Sequence, residues 1–151
     1  MITTIRTQSD NTDFQTLVKE LDLDLQIRDG AEHGFYAQFN SIAMLKHVIV
    51  AYDGTLAVGC GAIKPYDEST MEVKRMFVLP EERGKGIASI VLKELELWAQ
   101  ELGYQKCLLE TGTKQPEAIA LYKKNQYQII PNFGQYAGVE NSVCFEKQLE
   151  A

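Results

Sequence analysis

The sequence predicts an α+β domain with a mixed sheet, and two observations carry that prediction. Three apolar segments follow one another through short connections, which is typical of an antiparallel meander: residues 47–52, 55–63 and 71–78. A long amphipathic segment over residues 84–102 then leads to the short apolar segment 106–110, as expected when a helix crosses over to a parallel central strand. At 151 residues, residues 1–151 are expected to form one domain with a real core.

A strand and a helix are predicted before the meander. Residues 2–6 alternate as a short edge strand, and Ser9 or Asp10 can cap a helix that runs to about Leu21. Residues 30–40 are aromatic and only weakly periodic, so a second helix and a shaped loop both fit there.

Within the meander, Asp53-Gly54 is a strong hairpin-turn signal between the first two strands. Residues 64–69 are predicted to connect the second strand to the third.

After the meander, the segment 84–102 carries apolar residues at helical spacing, which predicts a core-facing stripe of Ile87, Val91, Leu95, Trp98 and Leu102. Gly103 is a good helix stop. Thr111-Gly112-Thr113 is expected to break the strand 106–110, and Pro116 to begin a helix that runs to about Asn125. Residues 127–130 and 142–147 read as a closing pair of strands.

Composition and charge exclude several classes of protein. The formal net charge of −6 argues against a general binder of nucleic acid or of anionic membranes, because both need a basic face. No apolar run approaches the roughly 20 residues of a membrane span, and the first residues lack the apolar core of a signal peptide. We therefore expect a cytoplasmic protein without membrane or nucleic-acid partners.

The cysteines and histidines are too few and too scattered for a metal site. Cys60, Cys107 and Cys144 are widely spaced in apolar contexts, so buried free thiols in a reducing compartment fit best. With only His33 and His47 in the chain, a zinc site or a histidine-based triad has little to work with. We expect no bound metal.

The stretch 71–89, MEVKRMFVLPEERGKGIAS, joins a strand to a helix through a glycine-rich turn. Small residues at Arg83-x-x-Gly86-x-Ala88 let a ligand approach the backbone, while free amides and the positive end of the helix dipole face outward. This arrangement predicts a phosphate site. The P-loop pattern GxxxxGK[ST] is absent, and so is a complete GxGxxG dinucleotide fingerprint.

This stretch resembles the (Q/R)xxGx(G/A) signature of the GCN5-related N-acetyltransferases (GNAT), and the order of elements matches that superfamily across essentially the whole chain. The resemblance implies the acyl-CoA N-acyltransferase fold, with a twisted, mostly antiparallel sheet of about six to seven strands and about four helices. It implies acetyl-CoA as co-substrate, with its pyrophosphate held by Arg83, Gly84, Lys85, Gly86, Ile87, Ala88 and Ser89.

The resemblance also assigns roles along the third meander strand and the last helix. That strand is expected to splay from the strand 106–110, so that backbone groups of Met76, Phe77 and Val78 pair with the pantetheine arm and polarise the thioester carbonyl. Tyr122 stands where the family places the tyrosine that protonates the departing thiolate. Asn125 replaces a common glycine, yet asparagine also tolerates a left-handed helix end.

Two carboxylates are candidates for the general base that an amine nucleophile needs. Glu72 lies six residues before Val78, an offset at which some histone-type members carry a glutamate base. Glu110, at the end of the neighbouring strand, would either orient the acceptor or act as the base itself. Alternatively, Glu72 is a solvated residue that pairs with Lys74 or Lys93.

Other side chains near the site have two interpretations each. Lys74 and Arg75 would either steer the CoA phosphates or lie exposed. Four aromatic residues would line an acceptor pocket or simply pack in loops: Tyr36, Phe39, Phe133 and Tyr136. His33 and His47 are expected to be a surface and a strand residue rather than catalysts.

The predicted function is transfer of an acetyl group from acetyl-CoA to a primary amine of a small molecule, by direct attack in a ternary complex. Finer similarity, in RGKGIAS, LETG and KQPEAIALYKK, is to small bacterial acetyltransferases that are sometimes labelled indole-3-acetic acid acetyltransferases. Indole acetate offers no basic amine, so the label leaves the acceptor open. A non-catalytic acyl-CoA-binding module and a peptide lysine acetyltransferase are the alternatives, and a homodimer is expected by family analogy alone.

Overall fold

The computed structural model describes residues 1–29 and 45–149. The strands are Ile2–Thr7 (β1), His47–Asp53 (β2), Leu56–Pro65 (β3), Thr70–Val78 (β4), Lys106–Gly112 (β5), Gln128–Ile130 (β6) and Ser142–Gln148 (β7). The α-helices in the described residues are Thr12–Asp29 (α1), Ile87–Glu101 (α2) and Pro116–Lys124 (α3). Short 3-10 helices cover Pro80–Glu82 and Gly134–Tyr136. The segment 30–40, for which a helix or a loop was predicted, lies outside the described residues.

All seven strands belong to one sheet in the order β1-β2-β3-β4-β5-β7-β6. The meander β2-β3-β4 is antiparallel, as predicted, and the β2–β3 hairpin turns at Gly54, whose φ is 63°. β4 and β5 are parallel neighbours, because α2 carries the chain back across the sheet between them. β7 then lies between β5 and β6 and is antiparallel to both. The mixed α+β fold expected from the sequence is confirmed.

Helices cover both faces of the sheet, and each face has its own apolar cluster. On one face, Val91 and Leu95 of α2 pack on Ile49 and Met71 of the sheet. On the other face, α1 supplies Phe14, Leu17, Val18 and Leu21, which pack on Val48, Val50, Cys60 and Phe77. This second layer covers β2, β3 and β4, and its contact with Phe77 brings α1 to the end of β4.

The helix ends differ from the predicted ones for local reasons. α1 begins at Thr12, because the Asn11 side-chain oxygen accepts from the Phe14 amide at 2.9 Å and caps the helix; neither Ser9 nor Asp10 does so. α1 also continues beyond Leu21 to Asp29.

α2 differs from its prediction at both ends. It begins at Ile87, three residues later than predicted, because Gly84 and Gly86 adopt left-handed φ angles of 82° and 80°. Ile87, Val91 and Leu95 are buried as predicted. Leu102 is 44% exposed and is not part of the stripe, because it follows the last helical residue. The buried positions that the stripe omitted are Leu92, Glu96 and Ala99.

The remaining boundaries shift by small amounts. Thr111 and Gly112 do not break β5, because both pair with β7, and the strand ends at Gly112. β3 extends to Pro65, and β6 begins at Gln128 rather than at residue 127. Gly103 ends α2 with a φ of 92°, as predicted.

Within residues 1–29 and 45–149, none of the helices is long and apolar enough to cross a membrane. The same residues contain no group of three or more His, Cys, Asp or Glu side chains that could hold a metal ion.

Candidate active site

A split in the middle of the sheet creates the candidate site. β4 and β5 pair only from Thr70 with Lys106 to Glu72 with Leu108. Beyond Glu72 the ladder stops, although β4 continues to Val78 and β5 continues beside β7. The second half of β4 therefore turns one edge towards open space, which is the splay expected from the sequence. Backbone N–H and C=O groups on such an edge are available to a ligand.

A β-bulge in β4 controls what faces this split. Cys60 pairs with Phe77 and Ala62 with Lys74, so two residues of β4, Arg75 and Met76, oppose one residue of β3. Arg75 takes up the irregularity with a φ of 59°. The extra residue reverses the alternation, and Phe77 consequently packs on the α1 face, opposite to Val73.

Gly61 is the β3 residue that faces the bulge. A Cβ at this position would lie 2.5 Å from the Met76 sulfur and 2.9 Å from Leu95 Cδ1. A side chain at position 61 would therefore displace Met76, which lies at the split. The sequence analysis did not single out Gly61; a glycine within a strand is the available signal for such a close approach.

The glycine-rich entry to α2, for which a phosphate site was predicted, is open on its outer side. Gly86 precedes the helix in the left-handed conformation, and its carbonyl accepts the first helical hydrogen bond, from Ile90 at 3.1 Å. The amides of Ile87, Ala88 and Ser89 precede that bond and have no partner inside the helix. Nothing lies within 4 Å of the positions where a Cβ would extend from Gly84 or Gly86, so a ligand can approach.

Arg83 joins this loop to the end of β4. Its Nε donates to the Val78 carbonyl oxygen at 3.0 Å, and its guanidinium carbon lies 5.6 Å from the centre of the Phe77 ring. Lys85 forms an exposed ion pair with Glu82 at 3.1 Å. Arg83 therefore fixes where the strand edge ends relative to the helix entry, in addition to contributing positive charge.

Two adjoining cavities occupy the split, and we call them the long groove and the small cavity. The long groove has a volume of about 370 Å³ and is lined by β4, the glycine loop, α2 and α3, among them Met76, Phe77, Val78, Arg83, Gly84, Gly86, Ile87, Ala88, Ser89 and Tyr122. The small cavity, of about 100 Å³, lies beside it and contains Glu72, Lys74, Arg75, Glu110 and Tyr136. Both are lined by Leu21, Met76, Gln115, Ala118 and Tyr122, which form the junction.

Tyr122 stands at this junction. It is 5% exposed, and its ring packs against Tyr127 and Phe145 with centroid distances of 5.8 Å each. Burial raises the pKa of Tyr122 well above its usual value, and the nearby Glu110 charge raises it further. The phenol is therefore protonated at neutral pH, as a proton donor must be.

The structure brings both candidate carboxylates to the small cavity. Glu72 is 8% exposed and pairs with Lys74 Nζ at 3.4 Å. The pairing with Lys74 is one of the two alternatives considered above, but the residue is buried rather than solvated. Glu110 accepts a hydrogen bond of 2.6 Å from the Ser142 hydroxyl, which anchors it to β7.

Lys74 and Arg75 occupy neither of the positions expected for them. Both line the small cavity rather than the glycine loop, and neither is exposed. Arg75 is ion-paired with Asp22 of α1. Sequence reasoning missed Arg75 as a site residue, because the bulge that orients it leaves no pattern in the sequence. Gln115, which lines the small cavity, was likewise not predicted as a site residue. Its position just before Pro116, at the start of α3, was the available signal.

The predicted aromatic residues divide into two groups. Tyr136 lines the small cavity and Phe133 packs against it at 5.7 Å between ring centres. Tyr36, Phe39 and His33 lie outside the described residues.

His47 and Asn125, which were noted in the sequence, each contact a residue of another element. His47 packs edge-on against Trp98 at 4.9 Å, on β2. Asn125 ends α3 with a φ of −93°, so the left-handed residue is Gln126, with a φ of 75°. The Asn125 amide nitrogen instead donates to Ser89 Oγ at 3.1 Å, which links the end of α3 to the start of α2.

Comparison with known proteins finds relatives in both sequence and fold. The chain is 37% identical over 136 residues to a protein of Azospirillum brasilense named IAA acetyltransferase, with 88% of each chain covered. It is 34% identical over 101 residues to YsnE of Bacillus subtilis (strain 168), which is described as an uncharacterized N-acetyltransferase; the match covers 66% of this chain and 67% of YsnE.

Solved structures have the same fold. A Klebsiella pneumoniae protein provisionally assigned to the acyl-CoA N-acyltransferases superposes with a TM-score of 0.83 at 29% identity, over 99% of both chains. A GNAT family acetyltransferase from Elizabethkingia anophelis, solved with acetyl-CoA bound, gives a TM-score of 0.69 at 19% identity over 98% of both chains. Residues 12–127 match the acetyltransferase (GNAT) family, and the chain belongs to that family.

Proposed function

We propose that this protein transfers an acetyl group from acetyl-CoA to a primary amine of a small molecule, by direct attack within a ternary complex. The observation that carries the proposal is the junction of the two cavities at Met76 and Tyr122. Phosphate-binding geometry lies at one end of the long groove, and two carboxylates lie beyond the junction. A thioester held at the junction would have Tyr122 beside it as the proton donor. The carboxylates of the small cavity would lie on the other side as proton acceptors.

The long groove accounts for the co-substrate. The pyrophosphate would meet the amides of Ile87, Ala88 and Ser89 at the positive end of α2. The pantetheine arm would lie along the free edge of β4, where the backbone of Met76 to Val78 can pair with its amides. An amide of this edge near the thioester would polarise its carbonyl.

The small cavity supplies the acceptor side of the reaction. The amine nitrogen forms a bond to the acetyl carbon, and the carbon–sulfur bond breaks. The proton lost by the amine goes to Glu72 or Glu110, directly or through water, and Tyr122 donates a proton to the departing thiolate. Donation by Tyr122 requires the neutral phenol that its buried position maintains.

The decisive experiment measures release of free thiol from acetyl-CoA against a panel of amines, amino acids, polyamines and lysine peptides. We expect turnover on small amines, and we expect Tyr122→Phe to lower kcat by about a hundredfold or more while the affinity for acetyl-CoA is kept. Tyr127→Phe is the matched control, because Tyr127 is a buried neighbour in ring contact whose hydroxyl donates to Glu96 at 3.0 Å instead.

Three outcomes would change the proposal. Equal activity of Tyr122→Phe and wild type would remove Tyr122 as the acid. Turnover confined to lysine peptides would replace the small-molecule acceptor by a protein. Tight acetyl-CoA binding without transfer to any amine would indicate a binding module rather than an enzyme.

A further inference from the structure

The charges of the small cavity are balanced rather than uniformly acidic. Its lining includes two carboxylates, Glu72 and Glu110, and two cations, Lys74 and Arg75. Lys74 is paired with Glu72 inside this cavity at 3.4 Å, whereas Arg75 is paired with Asp22 of α1, which is not among the lining residues. Arg75 is therefore the cation of the lining whose partner lies outside it.

Arg75 is the side chain with unused capacity for binding. It is 6% exposed, and its Nη2 is ion-paired with Asp22. Its Nε is buried and has no hydrogen-bond partner. A buried guanidinium donor left unsatisfied is unfavourable, so this atom marks a place that a ligand can fill. Nη2 is engaged by Asp22, so Nε is the donor that remains for a ligand carboxylate on this guanidinium.

Arg75 and Glu110 are anchored on different sides of the small cavity. Arg75 is held towards α1 by Asp22. Glu110 is held towards β7 by Ser142. Glu110 and Tyr122 both line the small cavity, and Tyr122 also stands at the junction with the long groove. An acceptor that spans the small cavity would therefore meet the Arg75 cation at its α1 end and the Glu110 carboxylate at its β7 end.

We propose that the acceptor is a small amine that also bears a carboxylate, with the amino acids as the simplest class. Arg75 binds the carboxylate through its free Nε, and the amino group lies at Glu72 and Glu110, beside the thioester. This inference rests on the proposed acetyl transfer, since it names the substrate class of that same site. The orphaned donor of Arg75 is then satisfied.

The test uses the whole protein and acceptors in matched sets. Each set contains an amino acid, its carboxamide and the amine that remains after decarboxylation. For the wild type we expect kcat/KM to be highest for the acid member, by at least about tenfold over the other two, because a charge-assisted pair to a buried guanidinium is lost in them.

Arg75→Met removes the guanidinium and keeps an unbranched stem that reaches about as far as Nε. We expect it to raise KM for the acid by about tenfold or more and to erase the preference for the acid over the decarboxylated amine. Lys19→Met, which removes an exposed cation from α1, is the control and should keep the preference. Calorimetric binding of acetyl-CoA shows that each variant is folded.

Each result has one meaning. A preference for the acid that disappears in Arg75→Met supports the proposal. Equal or better use of the amide and the decarboxylated amine by the wild type overturns it, even if Arg75→Met fails to fold, while the acetyltransferase assignment stands. Absence of transfer to every member, with acetyl-CoA bound, overturns the proposed function itself and this inference with it.

Discussion

Glu72 carries its carboxylate in a place that water hardly reaches. Its side chain is 10% exposed and that of its partner Lys74 is 8% exposed, so the two charges depend on each other. If Glu72 is the base, Glu72→Gln should lower kcat, and the ratio of mutant to wild-type kcat should be smallest at low pH, where the amine is most protonated. A pH series of initial rates with a saturating acceptor measures this.

The matched comparison for that experiment is Glu110→Gln. A larger and more pH-dependent loss in Glu110→Gln than in Glu72→Gln would assign the base to Glu110. Because Glu72→Gln leaves Lys74 without its Glu72 partner, thermal unfolding of both variants and of Glu72→Gln/Lys74→Met should be compared first. A buried ion pair that loses one partner can destabilise a protein by about 3–5 kcal/mol.

Residues differ in how much of their role is visible in the sequence. Tyr122, Gly86 and Glu72 belong to a spacing pattern, and the structure places all three at the split. Arg75 has no such pattern, because its burial results from a bulge and from a pairing with Asp22, which is 53 residues away in the chain. Long-range pairings of this kind cannot be read from local periodicity.

At the scale of elements, α2 offers a comparison between its two ends. Gly86 and Gly103 flank it, both with left-handed φ angles, 80° and 92°, and both with open space where a side chain would project. Glutamate at either position should cost a similar free energy of unfolding, about 1–2 kcal/mol. Only Gly86→Glu should abolish acetyl-CoA binding, because it places bulk and negative charge against the pyrophosphate.

Isothermal calorimetry measures the acetyl-CoA affinity of both variants, and chemical denaturation measures their free energy of unfolding. Together the two measurements separate backbone strain from loss of ligand contact. Equal loss of acetyl-CoA affinity in Gly86→Glu and Gly103→Glu would mean that helix stability, and not the phosphate site, controls binding. Wild-type affinity in Gly86→Glu would remove the glycine loop from the long groove's function.

The elements themselves were predicted where hydrophobic periodicity is strong. The meander, the crossover helix and the parallel placement of β5 follow from segment lengths and apolar spacing alone. Helix starts were predicted less well, since α1 begins at an Asn11 cap rather than at Ser9 or Asp10, and α2 begins after two left-handed glycines. Cap choice depends on which side-chain oxygen reaches an amide, and neighbouring polar residues compete for that position.

At the scale of the whole molecule, the buried thiols and phenols predict how stability depends on pH. Burial raises the pKa of Cys60 and Cys107 to about 12 and that of Cys144 to about 11. Burial likewise raises the pKa of Tyr122, Tyr127 and Tyr136 well above its usual value. All six groups are kept neutral by the fold, whereas in the unfolded chain they ionise from about pH 8.5 to 10.

The free energy of unfolding should therefore be insensitive to these groups below about pH 8.5 and should fall as the pH rises from there towards 11. Each buried thiol contributes a slope of up to about 1.4 kcal/mol per pH unit in that window. Guanidinium denaturation at a series of alkaline pH values measures the slope. The variant with all three cysteines changed to alanine should have a shallower one, and identical slopes would contradict the burial assigned to the thiols.

The bulge at Arg75 and Met76 also has a consequence for how the gene can change. Side-chain direction in a strand alternates at every residue, and the bulge holds one residue more than the partner strand. The loss of one codon at position 75 would therefore straighten the ladder while Phe77 and Val78 keep the faces that they now occupy. Such a deletion would remove the cation of the small cavity and leave the side-chain directions at the wall of the long groove as they are. Acceptor preference can thus diverge among descendants of this gene by exchange or by loss of this residue, without a reversal of the strand that faces the donor.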